Sequence, residues 1–540
     1  MRLLNANTFQ LEQFYDNDIP PYAILSHTWT KDEVTFQEFS TLSWDDPRLE
    51  KTVGCCKQAL QDDLTYVWVD TFCIDKASSA ELSEAINSMY KWYGDSTICY
   101  VYLSDVHPGY DDDSFSESRW FTRGWTLQEL LAPGYVRFFD SSWISIGQKY
   151  AWKKPSKDFG PPVLREKPGP DDDLSQELSN ITSISVAALR HEVDVGSVSV
   201  AEKMSWAAER ETTRSEDIAY SLLGIFGINM PLLYGEGGKR AFIRLQEEII
   251  SQTYDHTIFS WGFDRGPTHG GIFATSPLDF AGGGDIVPIS IGHKSHYTVT
   301  NLGVQIRLPV MTVQNGVQYA FFDATRGQAH GLVMSIPLYY ADGTGDDEDI
   351  LVRDPCSMPV FMSDNWLRQA TTRQLYLSKS SSVEVERNRR QYTLFVAKEL
   401  NEAGYLPSEL YPHATFSTVD HTTIYFGPWA PGEERLALVT YKSRSPYHPT
   451  FKVKIIYDDD RSSCLLRLAD GGYPLVADLE PTASHEDYWA LGNEWREVVN
   501  LGTLGDVSAK MEKLWPESIY CHLSLTPSTD SISDGGGVDL

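Results

Sequence analysis

The segment SRWFTRGWTLQELLAP, residues 118–133, is the stretch around which the N-terminal half is organised. It sets one carboxylate among tryptophans and leucines. Its apolar spacing predicts a helix over residues 119–131 that ends at Pro133. Glu129 lies on the apolar side of that helix, where an unpaired carboxylate is costly to bury. Two interpretations stay open. Glu129 belongs either to a core helix, paired with Arg123 or placed at the core's edge, or to a site where aromatic rings hold a carboxylate for chemistry.

The length and charge of the chain limit its class. It has 540 residues, more than one ordinary hydrophobic core organises, so we expect two or three domains. The formal net charge of -30 argues against binding to nucleic acids or to anionic membrane surfaces. The N-terminus lacks signal-peptide features, and no apolar run approaches membrane-spanning length. We therefore expect a cytoplasmic protein with neither nucleic-acid nor membrane partners.

The seven cysteines are scattered along the chain, and no two of them form a CxxC pair. That pattern is typical of a protein from a reducing compartment and not of a zinc site or a disulfide framework. Three short acidic runs lack the ligand spacing of a calcium loop, so we interpret them as solvated loop charges. The sequence therefore predicts no metal site and no required cofactor.

The first 150 residues alternate short apolar runs with helical periodicity. Strands rich in aromatic and β-branched residues are predicted at 22–26, 66–70, 98–103 and 135–139. Helices are predicted between them, at about 48–63, 79–94 and 119–131. This alternation predicts a parallel sheet covered on both faces, and such sheets bind ligands at the carboxyl ends of their strands.

Composition divides the chain into five segments. Residues 1–150 form the predicted α/β domain, and residues 151–180, rich in proline, glycine and charge, form a flexible linker. Residues 181–256 have helical periodicity. Residues 257–525 alternate short strands with turn signals, which predicts a β-rich, sandwich-like domain. Residues 526–540 are rich in serine, glycine and aspartate and form a disordered tail.

Several long motifs occur in order in the first half: YAILSHTW (22–29), WVDTFCIDK (68–76) and SRWFTRGWTLQELLAP (118–133). Together they resemble the heterokaryon-incompatibility (HET) domain of filamentous fungi, and residues 204–251 resemble the continuation that these proteins carry. The resemblance implies a role in recognising genetically different nuclei after hyphal fusion, which ends in programmed cell death. The HET domain is in turn distantly similar to the TIR domain, and many TIR domains cleave NAD.

The similarity to TIR domains implies a flavodoxin-like parallel-sheet fold and a catalytic residue. TIR domains carry a helix motif of the form W-C-L-x-E-L, whose glutamate is catalytic. Residues 125–130, WTLQEL, fit that form with Thr126 in place of cysteine, which implies that Glu129 is catalytic. Leu25, Ser26 and His27 stand where TIR domains have a serine-containing loop. Tyr22 replaces an acidic residue that is usual there, so we expect the cofactor pocket to differ.

Cleavage of the nicotinamide–ribose bond develops positive charge on the ribose, which a nearby carboxylate stabilises. On this hypothesis NAD is the substrate, and the residues that contact it are Ser26, His27, Trp29, Asp70, Asp75 and Trp125. A plainer role stays open for most of them. The two tryptophans are then core residues, the two aspartates cap backbone groups, and the histidine satisfies a turn.

Two hypotheses for function follow. The first is a cell-death effector whose first domain hydrolyses NAD, with Glu129 as the catalytic carboxylate. The second is a non-enzymatic module that self-associates and recruits other incompatibility or signalling proteins, with Glu129 in a structural ion pair. The sequence contains neither a nucleotide-binding motif nor a repeat array, so we expect another protein to be the trigger. The β-rich half either binds that partner or holds the effector silent.

Overall fold

The computed structural model describes residues 1–15, 18–109, 112–151, 172–263, 269–290, 297–312, 318–327, 332–340, 350–353, 359–363 and 367–379, together with the backbone of strands beyond residue 390. The chain forms two compact units, residues 1–253 with 274–278, and residues 254–273 with 279–540. Most of the predicted linker (152–171) and of the predicted tail (527–540) lies outside the described residues.

The first unit is built on a seven-stranded sheet. Its strands are β1 Arg2–Asn5, β2 Leu11–Gln13, β3 Tyr22–His27, β4 Tyr66–Trp68, β5 Ile98–Tyr102, β6 Tyr135–Phe139 and β7 Ser145–Tyr150. Their order is β2-β1-β4-β3-β5-β6-β7. The central strands β4, β3, β5 and β6 run parallel, which confirms the predicted parallel sheet. β1 and β7 flank them antiparallel, and β2 pairs antiparallel with β1, so the whole sheet is mixed.

The helices of the first unit are α1 Phe36–Phe39, α2 Glu50–Gln61, α3 Asp70–Cys73, α4 Ser79–Asp95, α5 Asp112–Ser116, α6 Thr126–Leu131, α7 Ser175–Thr182, α8 Val186–Leu189, α9 Val200–Ser205, α10 Asp217–Tyr220, α11 Leu223–Phe226 and α12 Gly238–Gln252. Helix α4 agrees with its predicted range, and α12 lies within the segment of predicted helical periodicity, residues 181–256. Helix α7 begins inside the segment predicted to be a linker. No helix in the described ranges is both long and apolar enough to cross a membrane.

Helix α4, predicted over about 79–94, shows why a local sequence pattern gives a correct helix boundary. The Ser78 side chain accepts a hydrogen bond from the Glu81 backbone N–H, which caps the first turn. Ala85, Ile86, Met89 and Tyr93 are buried at helical spacing, so one face of the helix packs on the interior of the unit. The cap and the apolar face are both local features, which single-sequence reasoning detects.

The predicted helix over residues 119–131 is wrong for its first half, because only α6 is helical. The preceding turn is held by a second part of the chain. The Gly124 N–H donates to the Glu211 carbonyl at 2.8 Å, and the Glu211 N–H donates to the Thr122 carbonyl at 2.7 Å. The buried Arg210 guanidinium donates to the backbone of the same turn. These long-range bonds occupy backbone groups that a continuous helix needs for itself.

The second unit is strand-rich, as predicted. Its strands are β8 Ile286–Pro288, β9 Tyr297–Val299, β10 Val304–Thr312, β11 Gln318–Phe321, β12 Ala324–Arg326, β13 Leu332–Tyr340, β14 Ile350–Arg353, β15 Val360–Ser363, β16 Thr371–Leu377, β17 Gln391–Val396, β18 Tyr405–Tyr411, β19 Ala414–Phe416, β20 Thr423–Phe426, β21 Arg435–Ser443, β22 Phe451–Tyr457, β23 Ser462–Leu468, β24 Trp495–Asn500, β25 Asp506–Trp515 and β26 Ser518–Thr526.

These strands form four sheets. The first has the order β11-β10-β16-β14-β13-β15 with β9 on β10, and a small one pairs β12 with β8. The others have the orders β19-β20-β17-β26-β25-β24 and β18-β21-β22-β23. Apolar side chains of the first sheet form a buried cluster, which includes Met311, Tyr319, Phe321, Val333, Val360 and Met362. The predicted sandwich arrangement stays a prediction.

Candidate functional site

Four of the predicted site residues, Ser26, His27, Trp29 and Asp70, lie near the carboxyl end of β3. The next strand along the chain, β4, pairs on one side of β3, and β5 pairs on the other. In open α/β sheets such a reversal of strand order is the usual place for a ligand. β3 ends at Ser26 and His27, which pair with Val101 and Tyr102 of β5. The sheet topology therefore favours this end of β3 as the candidate site.

A buried hydrogen-bond chain ties Glu129 to the end of β3. The Ser26 hydroxyl donates to Glu129 Oε2 at 2.5 Å and accepts from Trp120 Nε1 at 2.7 Å. Ser26 and Trp120 are fully buried, and 9% of Glu129 is exposed. Arg123, predicted as the partner of Glu129 in the plainer interpretation, donates instead to Thr213. That part of the prediction is wrong, because a serine fills the place expected for an ion-pair partner.

The surroundings of Glu129 change its acidity. Burial raises the pKa of the Glu129 carboxyl to about 8, and the negative charge of Asp70 acts in the same direction. Hydrogen bonds from Ser26 and Tyr93 and the positive charge of Arg123 oppose that rise in the pKa. At pH 7 the carboxyl is therefore mostly neutral in the free protein. A cation placed beside it would favour the ionised form and lower its pKa.

Two side chains hold the C-terminal end of α6, the helix that carries the glutamate. Lys149 of β7 is fully buried, and its Nζ donates to the carbonyls of Leu130 at 2.8 Å and Pro133 at 3.1 Å. His191 Nε2 lies 2.7 Å from the Leu131 carbonyl. These contacts satisfy carbonyls that a helix end leaves unpaired. Burial lowers the pKa of Lys149 to about 7 and that of His191 to about 4.

His27, the last residue of β3, lies at the same strand end. Its side chain is buried, and neither ring nitrogen has a hydrogen-bond partner among the described residues. Nε2 lies 3.7 Å from Glu33 and 3.9 Å from Asp70, beyond hydrogen-bond distance. Burial lowers the pKa of His27, so the imidazole is neutral at pH 7. A buried polar group without a partner calls for a reason, and a ligand contact is one.

Trp29 and Asp70 form a surface pair beside this histidine. The Trp29 indole N–H donates to Asp70 Oδ2 at 2.9 Å, and 44% of Trp29 is exposed. The plainer role of Trp29 as a core residue is therefore wrong. Lys76 Nζ lies 3.5 Å from the centre of the Trp29 ring and 3.9 Å from Asp70. The Asp70 carboxylate thus faces side chains, and these contacts are not those of a backbone cap.

Asp75 and Trp125 have other partners. Asp75 Oδ1 accepts from Gln37 Nε2 at 2.6 Å and from the Ala77 backbone N–H at 3.0 Å. The plainer role of Asp75 as a backbone cap is therefore confirmed. Trp125 precedes α6, is half-buried, and donates to Asp217 of α10 at 3.2 Å. The structure thus groups Ser26, His27, Trp29 and Asp70 at the end of β3, with Glu129 bonded to Ser26, whereas Asp75 and Trp125 bond elsewhere.

Three basic residues of the site gave no signal that sequence reasoning used. Lys149 and Arg210 are buried on β7 and after α9, far along the chain from β3, and only the tertiary fold brings them to the segment around α6. Lys76 stands in the WVDTFCIDK motif next to Asp75, so that motif could have indicated it. No group of three or more His, Cys, Asp or Glu residues in the described part of the chain is arranged to hold a metal ion.

Comparison with known proteins finds a family match within the first unit. Residues 22–115 match the family described as heterokaryon incompatibility protein (HET). This part of the chain therefore matches a HET domain. The matched residues run from β3 to α5, so they include Ser26, His27, Trp29 and Asp70 but end before Glu129. The glutamate therefore lies on the segment that follows the matched part of the HET domain.

A curated relative extends the likeness beyond the matched domain. The chain is 42% identical over 245 residues to the vegetative incompatibility protein HET-E-1 of Podospora anserina. The alignment covers 43% of this chain and 16% of HET-E-1, so the chain spans a small part of that relative's length. Two crystal structures of the Xerocomus chrysenteron lectin XCL match 25% of the chain at 12% identity, covering 99% and 97% of the lectin. Their TM-score is 0.17, which supports no conclusion about the fold.

Proposed function

We propose that this chain acts in heterokaryon incompatibility, and that its HET-domain unit cleaves the nicotinamide–ribose bond of NAD with Glu129 as the catalytic carboxylate. The incompatibility role rests on the HET domain and on the 42% identity to a vegetative incompatibility protein. The output is programmed cell death, triggered by another incompatibility or signalling protein or by self-association. The observation that carries the chemistry is the buried Glu129 carboxyl, hydrogen-bonded to Ser26 at the end of β3.

Sheet topology supports the TIR-like part of this proposal. The four parallel strands lie in the order β4-β3-β5-β6, so the first of them along the chain, β3, lies between the second and the third. That is the strand order with which flavodoxin-like sheets begin, and their ligands bind beside the first strand. Glu129 lies on α6, between β5 and β6, and reaches the end of β3 through Ser26. The hydrogen bond to Ser26 at this strand end supports the assignment of Glu129 to the ligand site.

The chemistry uses the unusual acidity of Glu129. The nicotinamide ring of NAD is cationic, and beside the carboxyl it favours the ionised form and lowers the raised pKa. The carboxylate then stabilises the positive charge that develops on the ribose as the bond to nicotinamide breaks. The bonding electrons leave with nicotinamide, water attacks the ribose carbon, and one proton is released. Ser26 keeps its hydrogen bond to the carboxylate and so fixes its position.

One observation favours the non-enzymatic alternative. The chain from Trp120 through Ser26 to Glu129 is buried, and its members satisfy one another, as in a polar network that serves only packing. On that alternative the unit self-associates and recruits partners without chemistry. Expressed in fungal cells, such a protein would kill without lowering the NAD level. The proposed enzyme would lower NAD before the cells die, and Glu129→Gln would prevent both events.

The direct test follows nicotinamide release from NAD by the purified chain, with Glu129→Gln beside it. An enzyme that is silent until it is assembled would imitate the non-enzymatic module. The assay is therefore repeated with the chain fused to a self-associating tag. Release by the parent protein in either state, and its loss in the Gln variant, is the expected result. Equal release by both proteins would remove Glu129 from the catalytic role.

A further inference from the structure

Lys76 is held by one long ion pair and one cation–π contact. Its ammonium group covers the Trp29 ring at 3.5 Å, and its distance to Asp70 is 3.9 Å, too long for a hydrogen bond. Asp70 is its one ion-pair partner among the described residues. The side chain is 32% exposed, and burial lowers the pKa of the Lys76 ammonium group below its ordinary value. Lys76 is therefore a weakly held cation at the edge of the candidate site.

The other charges around this edge are already bound to one another. Lys51 donates to Glu33 at 2.7 Å, and Glu33 also accepts from the Thr30 backbone. Asp70 accepts from the Trp29 indole, which fixes the plane of that ring. Lys76 is thus the cation of this group without a short hydrogen bond to a carboxylate.

The exposed ring of Trp29 is a surface on which a nucleotide base can stack. A large part of Trp29 is exposed, and the Asp70 bond holds its ring in place at the end of β3. The ring face that Lys76 covers is the kind of surface on which a nucleotide base stacks. A cation over a ring is held by a weak attraction, whereas an ammonium group and a phosphate form a strong charge-assisted hydrogen bond. An arriving nucleotide can therefore draw Lys76 from the ring.

We propose that Lys76 binds a phosphate of the nucleotide substrate and, by leaving the Trp29 ring, uncovers the face on which the base of that substrate stacks. This inference rests on the proposed function and adds a binding residue to it. The ligand class is a nucleotide with both a phosphate and an aromatic base, such as NAD. The ligand-free protein then covers the stacking face with its own cation.

The test measures binding in the Glu129→Gln background, where the ligand is not consumed. The probes are NAD, which has phosphates, and nicotinamide riboside, which has none. Lys76→Met removes the charge but keeps much of the length, Lys76→Arg keeps the charge, and Lys57→Met on the exposed face of α2 is the matched control. We expect Lys76→Met to weaken NAD binding by about tenfold or more, since it removes a charged hydrogen bond.

The two probes separate a phosphate contact from general damage. Binding of nicotinamide riboside should be unchanged or tighter in Lys76→Met, because the Trp29 face is already uncovered. Lys76→Arg should restore NAD binding, and the Lys57 control should leave both affinities unchanged. Equal loss of both ligands, no loss of either, or no NAD binding by the parent variant would overturn the inference.

The outcomes also separate this inference from the proposed chemistry. NAD binding that depends on Lys76, without nicotinamide release by the wild-type chain, would refute the chemistry and leave the binding residue. Nicotinamide release with an unchanged KM in Lys76→Met would refute the binding residue and leave the chemistry.

Discussion

The Ser26 hydroxyl donates a 2.5 Å hydrogen bond to the Glu129 carboxyl and joins residues that are 103 positions apart in the chain. Ser26 is the fifth residue of β3, and Glu129 is the fourth residue of α6. The bond therefore forms only when the sheet and the segment after β5 have both assembled. Both partners are buried, and the pKa of Glu129 depends on this burial and on the hydrogen bond from Ser26.

The raised pKa of Glu129 predicts how stability changes with pH. The folded pKa is about 8 and the ordinary value is 4.5, so the folded chain holds this proton more tightly than the unfolded chain does. The contribution of Glu129 to stability is fully present below about pH 4.5 and is lost as the pH rises through 8. Glu129→Gln has no such proton and should avoid the loss.

The measurement is urea unfolding of both proteins from pH 5 to pH 9. The stability of the wild type relative to Glu129→Gln should fall across this range by at most about 5 kcal/mol, at about 1.4 kcal/mol per pKa unit. Subtracting the two curves removes the titration of groups that both proteins share. A flat difference would mean that Glu129 ionises in the folded chain as it does in the unfolded one.

Ser26→Ala should destabilise the chain because it leaves the buried Trp120 N–H without its acceptor. The expected cost is about 1–3 kcal/mol in urea unfolding. The variant also removes a donor to Glu129, so the pH at which stability falls should move above 8. Ser96→Ala, which removes a hydrogen bond to the Tyr93 carbonyl, is the matched control. It should cost less and leave the pH dependence as it is.

Trp120→Phe tests whether Ser26 and Trp120 act as a pair. In a double-mutant cycle the variant with both changes should be more stable than the sum of the single effects predicts, by about 1 kcal/mol, because no N–H is then left unpaired. Strict additivity would show that the 2.7 Å bond contributes nothing to stability.

Lys149 predicts a pH dependence of the opposite sign. Burial lowers its pKa from 10.5 to about 7, so the folded chain holds fewer protons than the unfolded chain between these values. The stability of the wild type relative to Lys149→Met should therefore rise with pH between about 7 and 10.5, by at most about 5 kcal/mol. The exposed Lys57→Met should show no such rise. A difference that falls with pH would contradict the effect assigned to burial.

Local sequence patterns were enough for the elements that depend on neighbouring residues. The strands β3 and β6 and the helices α4 and α12 follow from their own apolar spacing and, for α4, from the cap at Ser78. The first half of the segment 118–133 was mispredicted as helix, because Arg210 and Glu211 reach its backbone from far along the chain.

The candidate site, too, is predictable from local sequence in part, and in part depends on tertiary contacts. The position of Ser26 at a strand end follows from the pattern of β3, and the position of Glu129 followed from a resemblance. That Ser26 contacts Glu129, and that Lys149 holds the end of α6, depends on contacts between distant segments. No single-sequence pattern encodes such contacts, since the residues involved are ordinary in their own neighbourhoods.

The pH dependence of the reaction should reflect the carboxyl that carries it. The kcat/KM for NAD reports the free enzyme, so it should rise with pH and level off near 8. The kcat reports the complex, in which the cationic nicotinamide lowers the pKa of Glu129, so its rise should lie at lower pH. Stopped assays of nicotinamide from pH 5 to pH 9 measure both curves. Coincident curves would contradict the placement of the nicotinamide beside Glu129.

The most direct test of the central claim is nicotinamide release from NAD by the wild-type chain and Glu129→Gln, each assayed alone and in forced assemblies. The account predicts many turnovers by the wild type in at least one state. It predicts a loss of at least about a hundredfold in the Gln variant, since a group that stabilises transition-state charge is removed. Both proteins should be equally stable at pH 5. Equal rates in the two proteins, or no nicotinamide from the wild type in either state, would contradict it.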